Sequence, residues 1–345
     1  MTIARKKQIK QQKNYQTHIT SRVMRRAWLF GDDPVTGVNY DHRRQWILDR
    51  LSVLEQNFAV EVCAYAIMSN HIHLILHINY DFSLTLSDTE VVQRWWQLFP
   101  PKMMQEETSD EIIAFHLERL AADEEQVQIW RNRLADVSWF MKCLNEPIAR
   151  MVNKEDGCTG RFWEGRYKSQ LLLDSAALIA CMAYVDLNPV RANIADTPET
   201  SDYTSIANRI ALQQNNKSAP DIAEVVEPLK TPKLMPFATC QQEVLKKIQQ
   251  NTHSFCLPIQ QDDYFKLVDW TGRCIKEGKR GRIPSHLSPI LQRLEINEEQ
   301  WVDGVAHYGR HFYNVVGLVR HVVDETIEQG MCWLKGQKAV RILFQ

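Results

Sequence analysis

Short apolar runs rich in β-branched and aromatic residues alternate along the first eighty residues with a longer segment of helical spacing. The runs Tyr15 to Leu29, Val60 to Met68 and His71 to Asn79 predict strands, the last two joined across a tight Ser69-Asn70 turn. Between them, Tyr40 to Asn57 repeats its apolar positions with the period of an amphipathic helix. This succession predicts an α+β fold with helices on one face of the sheet. Residues 81–140 then interrupt it with an acidic helical segment containing Arg94-Trp95-Trp96-Gln97 and Trp130. Residues 141–156 resume as a helix leading into Gly160-Arg161-Phe162-Trp163-Glu164-Gly165-Arg166-Tyr167.

A second helical pattern covers Ala176 to Ala192, with Asp174 and Ser175 as N-terminal caps and Pro189 ending or bending it. The polar run Gln213 to Pro220 and the proline-punctuated stretch Pro228 to Pro236 read as a linker. Helical patterns follow to the end of the chain, with a basic turn at Gly278-Lys279-Arg280-Gly281-Arg282. The expected organisation is therefore residues 1–210 as one domain carrying the 81–140 insertion, 211–236 as linker, and 237–345 as a mostly helical C-terminal domain. No internal repeat, phosphate-binding glycine loop or nucleotide-binding fingerprint is present.

Composition narrows the class. A chain of 345 residues with 44% hydrophobic content can bury about two cores. No apolar run approaches the roughly eighteen residues of a membrane span, and Met1-Thr2-Ile3-Ala4-Arg5-Lys6-Lys7 lacks the apolar region of a secretion signal. The eight cysteines are scattered, without a Cys-x-x-Cys pair, which argues against structural zinc and for a reducing compartment, so the expected location is the cytoplasm. Net charge is only -1, yet it is polarised along the chain. Residues 1–50 hold eleven Lys/Arg against four Asp/Glu, and 81–130 hold three against eleven.

Two patterns carry candidate chemistry. In Asn70-His71-Ile72-His73-Leu74, strand alternation puts His71 and His73 on one face, within about 7 Å of each other, where two imidazoles can converge on one divalent ion. A solvated strand face explains a lone His-x-His equally well. His77 shares their parity but stands about 13 Å from His73, outside a first metal shell. In Tyr184-Val185-Asp186-Leu187-Asn188-Pro189-Val190-Arg191-Ala192, Tyr184 and Asn188 fall one helical turn apart, and an amide oxygen is an acceptable ligand for Mg²⁺ or Mn²⁺.

Taken with the Gly160–Tyr167 segment, these motifs resemble the HUH-superfamily single-tyrosine transposases, and within them the REP-associated tyrosine transposases of bacteria. The likeness runs from about residue 14 to 210, interrupted by the acidic insertion, which is much shorter in compact members. It implies a ferredoxin-like antiparallel palm and a metal-dependent single-stranded DNA endonuclease and strand transferase. In that scheme Tyr184 is the nucleophile that becomes a 5′-phosphotyrosine, and His71, His73 and Asn188 hold Mg²⁺ or Mn²⁺. A hairpin of the REP-like palindrome type is the implied DNA partner, with no membrane. Members act as dimers or as monomers, so a homodimer stays open. Candidate DNA contacts are Arg22, Arg25 and Arg26 near the basic N-terminus, Arg161, Arg166, Lys168 and Arg191 beside the motifs, and Lys279 and Arg280 in the basic turn. Phe162, Trp163 and Tyr167 offer either stacking surfaces for bases or core packing. A catalytically silent hairpin-binding or repressor protein of the same fold is the alternative reading, and a metallophosphoesterase is a third.

Overall fold

Two strands, β1 (Tyr15–Arg22) and β2 (Val60–Ile67), pair antiparallel with opposite edges of a third, β3 (His71–Ile78). This arrangement comes from a computed structural model that describes residues 10–24, 27–105, 109–217, 231–250, 256–277, 284, 286–332 and 334–344. The β2–β3 hairpin turns on Ser69-Asn70, with the Met68 N–H donating to the His71 carbonyl at 2.9 Å. Helix α1 (Asp41–Asn57) connects β1 to β2. The chain then builds α2 (Tyr80–Thr85), α3 (Asp88–Leu98), α4 (Asp110–Ala121), α5 (Glu124–Leu134) and α6 (Val137–Glu155) before β4 (Lys168–Leu172) pairs antiparallel with β1.

After β4 come α7 (Ser175–Asp186), α8 (Asn188–Arg191) and α9 (Ser205–Lys217). The C-terminal third forms α10 (Gln241–Gln250), α11 (Gln261–Lys276), α12 (Ser288–Arg293), α13 (Trp301–Ala306), α14 (Tyr308–His311), α15 (Val319–Glu328) and α16 (Gln337–Leu343). It also returns β5 (Val315–Val316) to the sheet, parallel to β4. Sheet order is β2-β3-β1-β4-β5. The protein is thus α+β, and the sheet is mixed where an antiparallel one was expected, because the C-terminal segment supplies a parallel fifth strand.

Alternation sorts the sheet into two unlike faces. Cross-strand register places Arg22 opposite His71, Thr20 opposite His73, and His18 opposite both Ile75 and Gln170, all on one face. On the other face, Ser21 accepts a hydrogen bond at 3.1 Å from Asn145 of α6. Helices were expected on one face; they cover both, with α1 and α6 below and α7 above, its Tyr184 edge-on to His73. The acidic insertion packs on α6 through Trp95, edge-on to Trp139 at 5.6 Å and stacked on Trp130 of the insertion at 5.7 Å, and on α1 through Arg94, which donates to the Gln56 carbonyl at 2.7 Å. The buried Arg131 guanidinium ties it together by donating to the Ser83 and Leu86 carbonyls and to Asp88. The insertion therefore lies across the sheet from the histidines.

Three expected boundaries move, one of them the start of the 211–236 linker, whose first residues to Lys217 belong to α9. The first strand stops at Arg22 because pairing with β3 ends at its hairpin turn and pairing with β4 has already ended at Thr20. The single helix expected over 176–192 is broken at Leu187. Pro189, which cannot donate a backbone hydrogen bond, instead sits in the first turn of α8, where no donor is required. Asp174 caps α7 as expected, accepting from the Ala177 N–H at 2.9 Å. Its other carboxylate oxygen accepts from Leu318 N–H and faces His321 Nδ1, each at 2.7 Å, clasping α7 to the C-terminal helices. Every side chain from Ala176 to Asp186 is buried, as a helix apolar on all sides requires. Among the described residues no helix is long and apolar enough to cross a membrane. Arg25, Arg26, Lys279 and Arg280 lie outside the described residues.

Candidate active site

A chain of hydrogen bonds sets the protonation of the sheet histidines, beginning at a backbone carbonyl. The carbonyl of Tyr313 can only accept, so the Gln170 side chain turns its amide nitrogen toward it and its oxygen toward His18. His18 Nδ1, 3.2 Å from that oxygen, must then carry the proton. Burial pushes the His18 pKa down to about 4, so the ring is neutral and its Nε2 is a bare acceptor. That Nε2 lies 2.8 Å from His73 Nδ1, with Thr20 Oγ1 also 3.3 Å away. His73 Nδ1 is therefore the donor. Burial, then the neighbouring charges of His71 and His18, and after them Arg191 and Arg22, hold His73 well below the usual histidine range. Its Nε2 is left as an unprotonated nitrogen, buried and without a hydrogen-bond partner among the described residues.

His71 is arranged in the same manner. Its Nδ1 donates to Asn70 Oδ1 at 2.7 Å, and burial, followed by the charges of Arg22 and Arg191, lowers its pKa to about 4. With Nδ1 protonated and the ring neutral, Nε2 is again the bare nitrogen. The two rings meet edge to face with centroids 4.9 Å apart. Asn188, 5% exposed, has an amide nitrogen with no partner among the described residues. Two neighbouring imidazoles, each with its Nδ1 committed and its Nε2 bare, are the donor chemistry of a divalent-ion site, and outer hydrogen bonds that orient histidines are the usual support of one. The nitrogen donors suit Mn²⁺ better than Mg²⁺, which favours oxygen ligands.

Tyr184 stands beside these rings, its ring 5.5 Å from His73 and 6.0 Å from His18. Tyr308 stacks on it at 4.9 Å, and the Arg191 guanidinium lies 4.4 Å from the ring centre. It is 7% exposed and lines a cavity of about 730 Å³ with Arg191, Asp303, His307, Gly309 and Arg310. A Cβ on Gly309 would stand 3.0 Å from the tyrosine oxygen, so the absence of a side chain there makes room for the hydroxyl. Arg191 Nη1 is buried without a partner among the described residues. Arg22 and Arg191 bring positive charge to both histidines, as the lowered pKa values register. This is a place for an anion.

The remaining sequence-derived candidates are dispersed. Lys168 is exposed at the start of β4, opposite Thr20 in the register. Arg161 and Arg166 are exposed in the loop before it, which is stitched to the end of β1 through Glu164 N–H to Arg22 carbonyl at 2.8 Å. The aromatic residues of that loop face inward. Phe162 packs edge-on to Phe30 at 5.7 Å, Trp163 donates to the Asn145 carbonyl at 2.8 Å, and Tyr167 Oη lies 3.0 Å from Ser138 Oγ. His77 is fully buried farther along β3, with Nε2 4.0 Å from Glu61. Sequence reasoning missed His18, Gln170 and Tyr308. The parity of Thr20 and His18 in a strand was readable, but their pairing with His73 needed the β1–β3 register.

No protein-family model matches this chain, and no curated protein is similar to it in sequence. Among solved structures it is similar to a REP-associated tyrosine transposase bound to a REP hairpin, with 11% identity, a TM-score of 0.33, and coverage of 64% of this chain and 91% of that one. A likeness that distant assigns neither fold nor activity to this chain.

Proposed function

We propose that the protein is a metal-dependent, single-tyrosine DNA strand transferase of the HUH type, acting on single-stranded or hairpin DNA. The observation that carries the reading is the partnerless Nε2 of His73, held bare by the Tyr313–Gln170–His18 relay beside the ring of Tyr184. The succession β1-α1-β2-β3-α6-β4 with spatial order 2-3-1-4 also matches a ferredoxin-like βαββαβ palm.

In this reading Arg22 and Arg191 bind a backbone phosphate, and Tyr184 is the nucleophile. Its oxygen forms a bond to phosphorus while the bond from phosphorus to the 3′ oxygen breaks. The phenolic proton passes to solvent and the departing 3′ oxygen takes one up, so the number of phosphodiester bonds is unchanged and a 3′-hydroxyl can reverse the step. A divalent ion held by His71, His73 and Asn188 would supply a Lewis acid for a nonbridging oxygen. His18 and Gln170 keep the His73 lone pair directed and unprotonated.

The test incubates the purified chain with a labelled single-stranded hairpin, with and without Mg²⁺ or Mn²⁺, and reads a denaturant-resistant adduct. A metal-dependent band that disappears in Tyr184→Phe is the expected result. Cutting that survives Tyr184→Phe would assign the chemistry to a metal-bound water instead. Specific hairpin binding without an adduct would favour the silent DNA-binding reading, which the cover of Tyr308 and Gly309 over Tyr184 specifically motivates.

A further inference from the structure

The C-terminal helices carry a second group of metal-ligating side chains, away from the sheet. Asp303, His307 and His311 are spaced four residues apart across α13 and α14. The helical path is kept through the junction, since His307 N–H donates to the Asp303 carbonyl at 3.0 Å and His311 N–H to the His307 carbonyl at 3.1 Å. Residues spaced by four lie along one stripe of a helix. One ligand atom from each falls within 4.8 Å of the other two. His307 Nδ1 is 3.0 Å from Asp303 Oδ1, and His311 Nδ1 is 3.8 Å from Asp303 Oδ2.

Those separations match the chemistry of one bound ion. Ligand atoms each about 2.1 Å from a metal stand about 3.0 Å apart at a right angle and about 3.4 Å apart at a tetrahedral one. The observed pairs bracket that range, so small rotations suffice. An ion pair between Asp303 and one protonated histidine would account for one imidazole and leaves the second unexplained. Two imidazoles and one carboxylate are a set for a borderline divalent ion such as Zn²⁺, with coordination positions left over for water or another oxygen ligand. Asp303 and His307 also line the cavity that Tyr184 and Arg191 line.

We propose that Asp303, His307 and His311 form a zinc-class metal site on the wall of the Tyr184 cavity, separate from His71 and His73. The site stands independently of the strand-transfer reading. Its open positions face a cavity that already holds two arginines, Arg191 and Arg310, so a phosphate oxygen is a chemically suitable further ligand.

The test titrates the full chain, stripped with chelator, with Zn²⁺ by calorimetry and with Co²⁺ by visible absorption. The expected result is an equivalent of metal that persists in the His71→Ala, His73→Ala double variant. It should be lost or weakened in His307→Ala and His311→Ala by more than the roughly 10- to 100-fold of losing an outer hydrogen bond. Asp303→Asn is the gentler companion, since an exposed amide of the same shape leaves the fold intact, which circular dichroism checks. Unchanged affinity and stoichiometry in all three variants would overturn the site. So would loss of all tight binding in the His71, His73 double variant. Neither result depends on DNA cleavage.

Discussion

Tyr184 and Asp186 are two residues apart near the end of α7, and their surroundings are opposites. Asp186 is fully buried, and its carboxylate accepts from Ser205 Oγ at 2.5 Å, the Ile206 N–H at 3.1 Å and Tyr264 Oη at 2.5 Å. Helices α7, α9 and α11 are pinned together at that point. On the Tyr184 side, His73 Nε2, Asn188 Nδ2 and Arg191 Nη1 are all buried without partners among the described residues. Beside Tyr184 the unmet groups coincide with a cavity and with the positive charge of Arg191, which is what a binding site for an outside group requires. At Asp186 the carboxylate is met by three donors, and that is where the helices hold together.

Four changes sharpen that contrast. The largest effect is expected from Asp186→Leu, which leaves three buried donors facing an aliphatic group at roughly 1–3 kcal/mol each. Urea unfolding should show a loss of several kcal/mol, and a loss under about 1 kcal/mol would remove Asp186 from its structural role.

Asp186→Asn tests the same residue through pH. Burial, opposed by hydrogen bonds from Ser205 and Tyr264, raises the Asp186 pKa from 3.8 to about 6. Between those values the folded state binds the extra proton, so the wild type gains stability as pH falls through about 6 and the gain is complete below the unfolded value. Relative to Asp186→Asn, whose amide does not titrate, the wild type should gain on the order of 3 kcal/mol across this window. A constant difference between the two proteins from pH 7 to pH 4 would contradict it.

On the other side, His18→Ala removes the group that orients His73 while leaving all three proposed ligands, His71, His73 and Asn188. Metal affinity at the His71/His73 site should fall roughly 10- to 100-fold, read by Mn²⁺ titration, and Mn²⁺-dependent adduct formation should fall with it but recover at higher Mn²⁺. Failure of excess metal to restore the adduct would mean that His18 acts on the reaction directly.

The smallest effect has the opposite sign. Asn188→Leu replaces a buried, partnerless amide by an apolar side chain of similar size, and stability should rise or hold within about 1 kcal/mol while strand cleavage is lost. A marked destabilisation would show Asn188 to be structural, like Asp186.

Much of the frame was readable in the chain. Short apolar runs rich in β-branched residues located β2 and β3 to within a residue or two of their ends, and the Ser69-Asn70 turn joined them as expected. The acidic insertion read as helical, and it is, in α2 to α5. The limits of the reading have physical causes. The end of β1 is set by where its two neighbours stop pairing, and the parallel β5 comes from a two-residue segment too short to carry a period. The inward direction of Phe162, Trp163 and Tyr167 depends on Phe30, Asn145 and Ser138, which are distant in sequence.

The sequence by itself determined which side chains share a strand face or a helical turn, because those relations follow from 2.0 and 3.6 residues per repeat and need no partner. His71 with His73 was legible on those grounds, whereas the turn expected to join Tyr184 to Asn188 is interrupted at Leu187. Only the tertiary structure decided which nitrogen of each histidine is bare, what covers Tyr184, and that Asp186 is an anchor while its neighbour faces a cavity. Those outcomes depend on contacts between different elements, 55 residues apart for His18 and His73, 152 for His18 and Gln170, and 78 for Asp186 and Tyr264, and no local period encodes them.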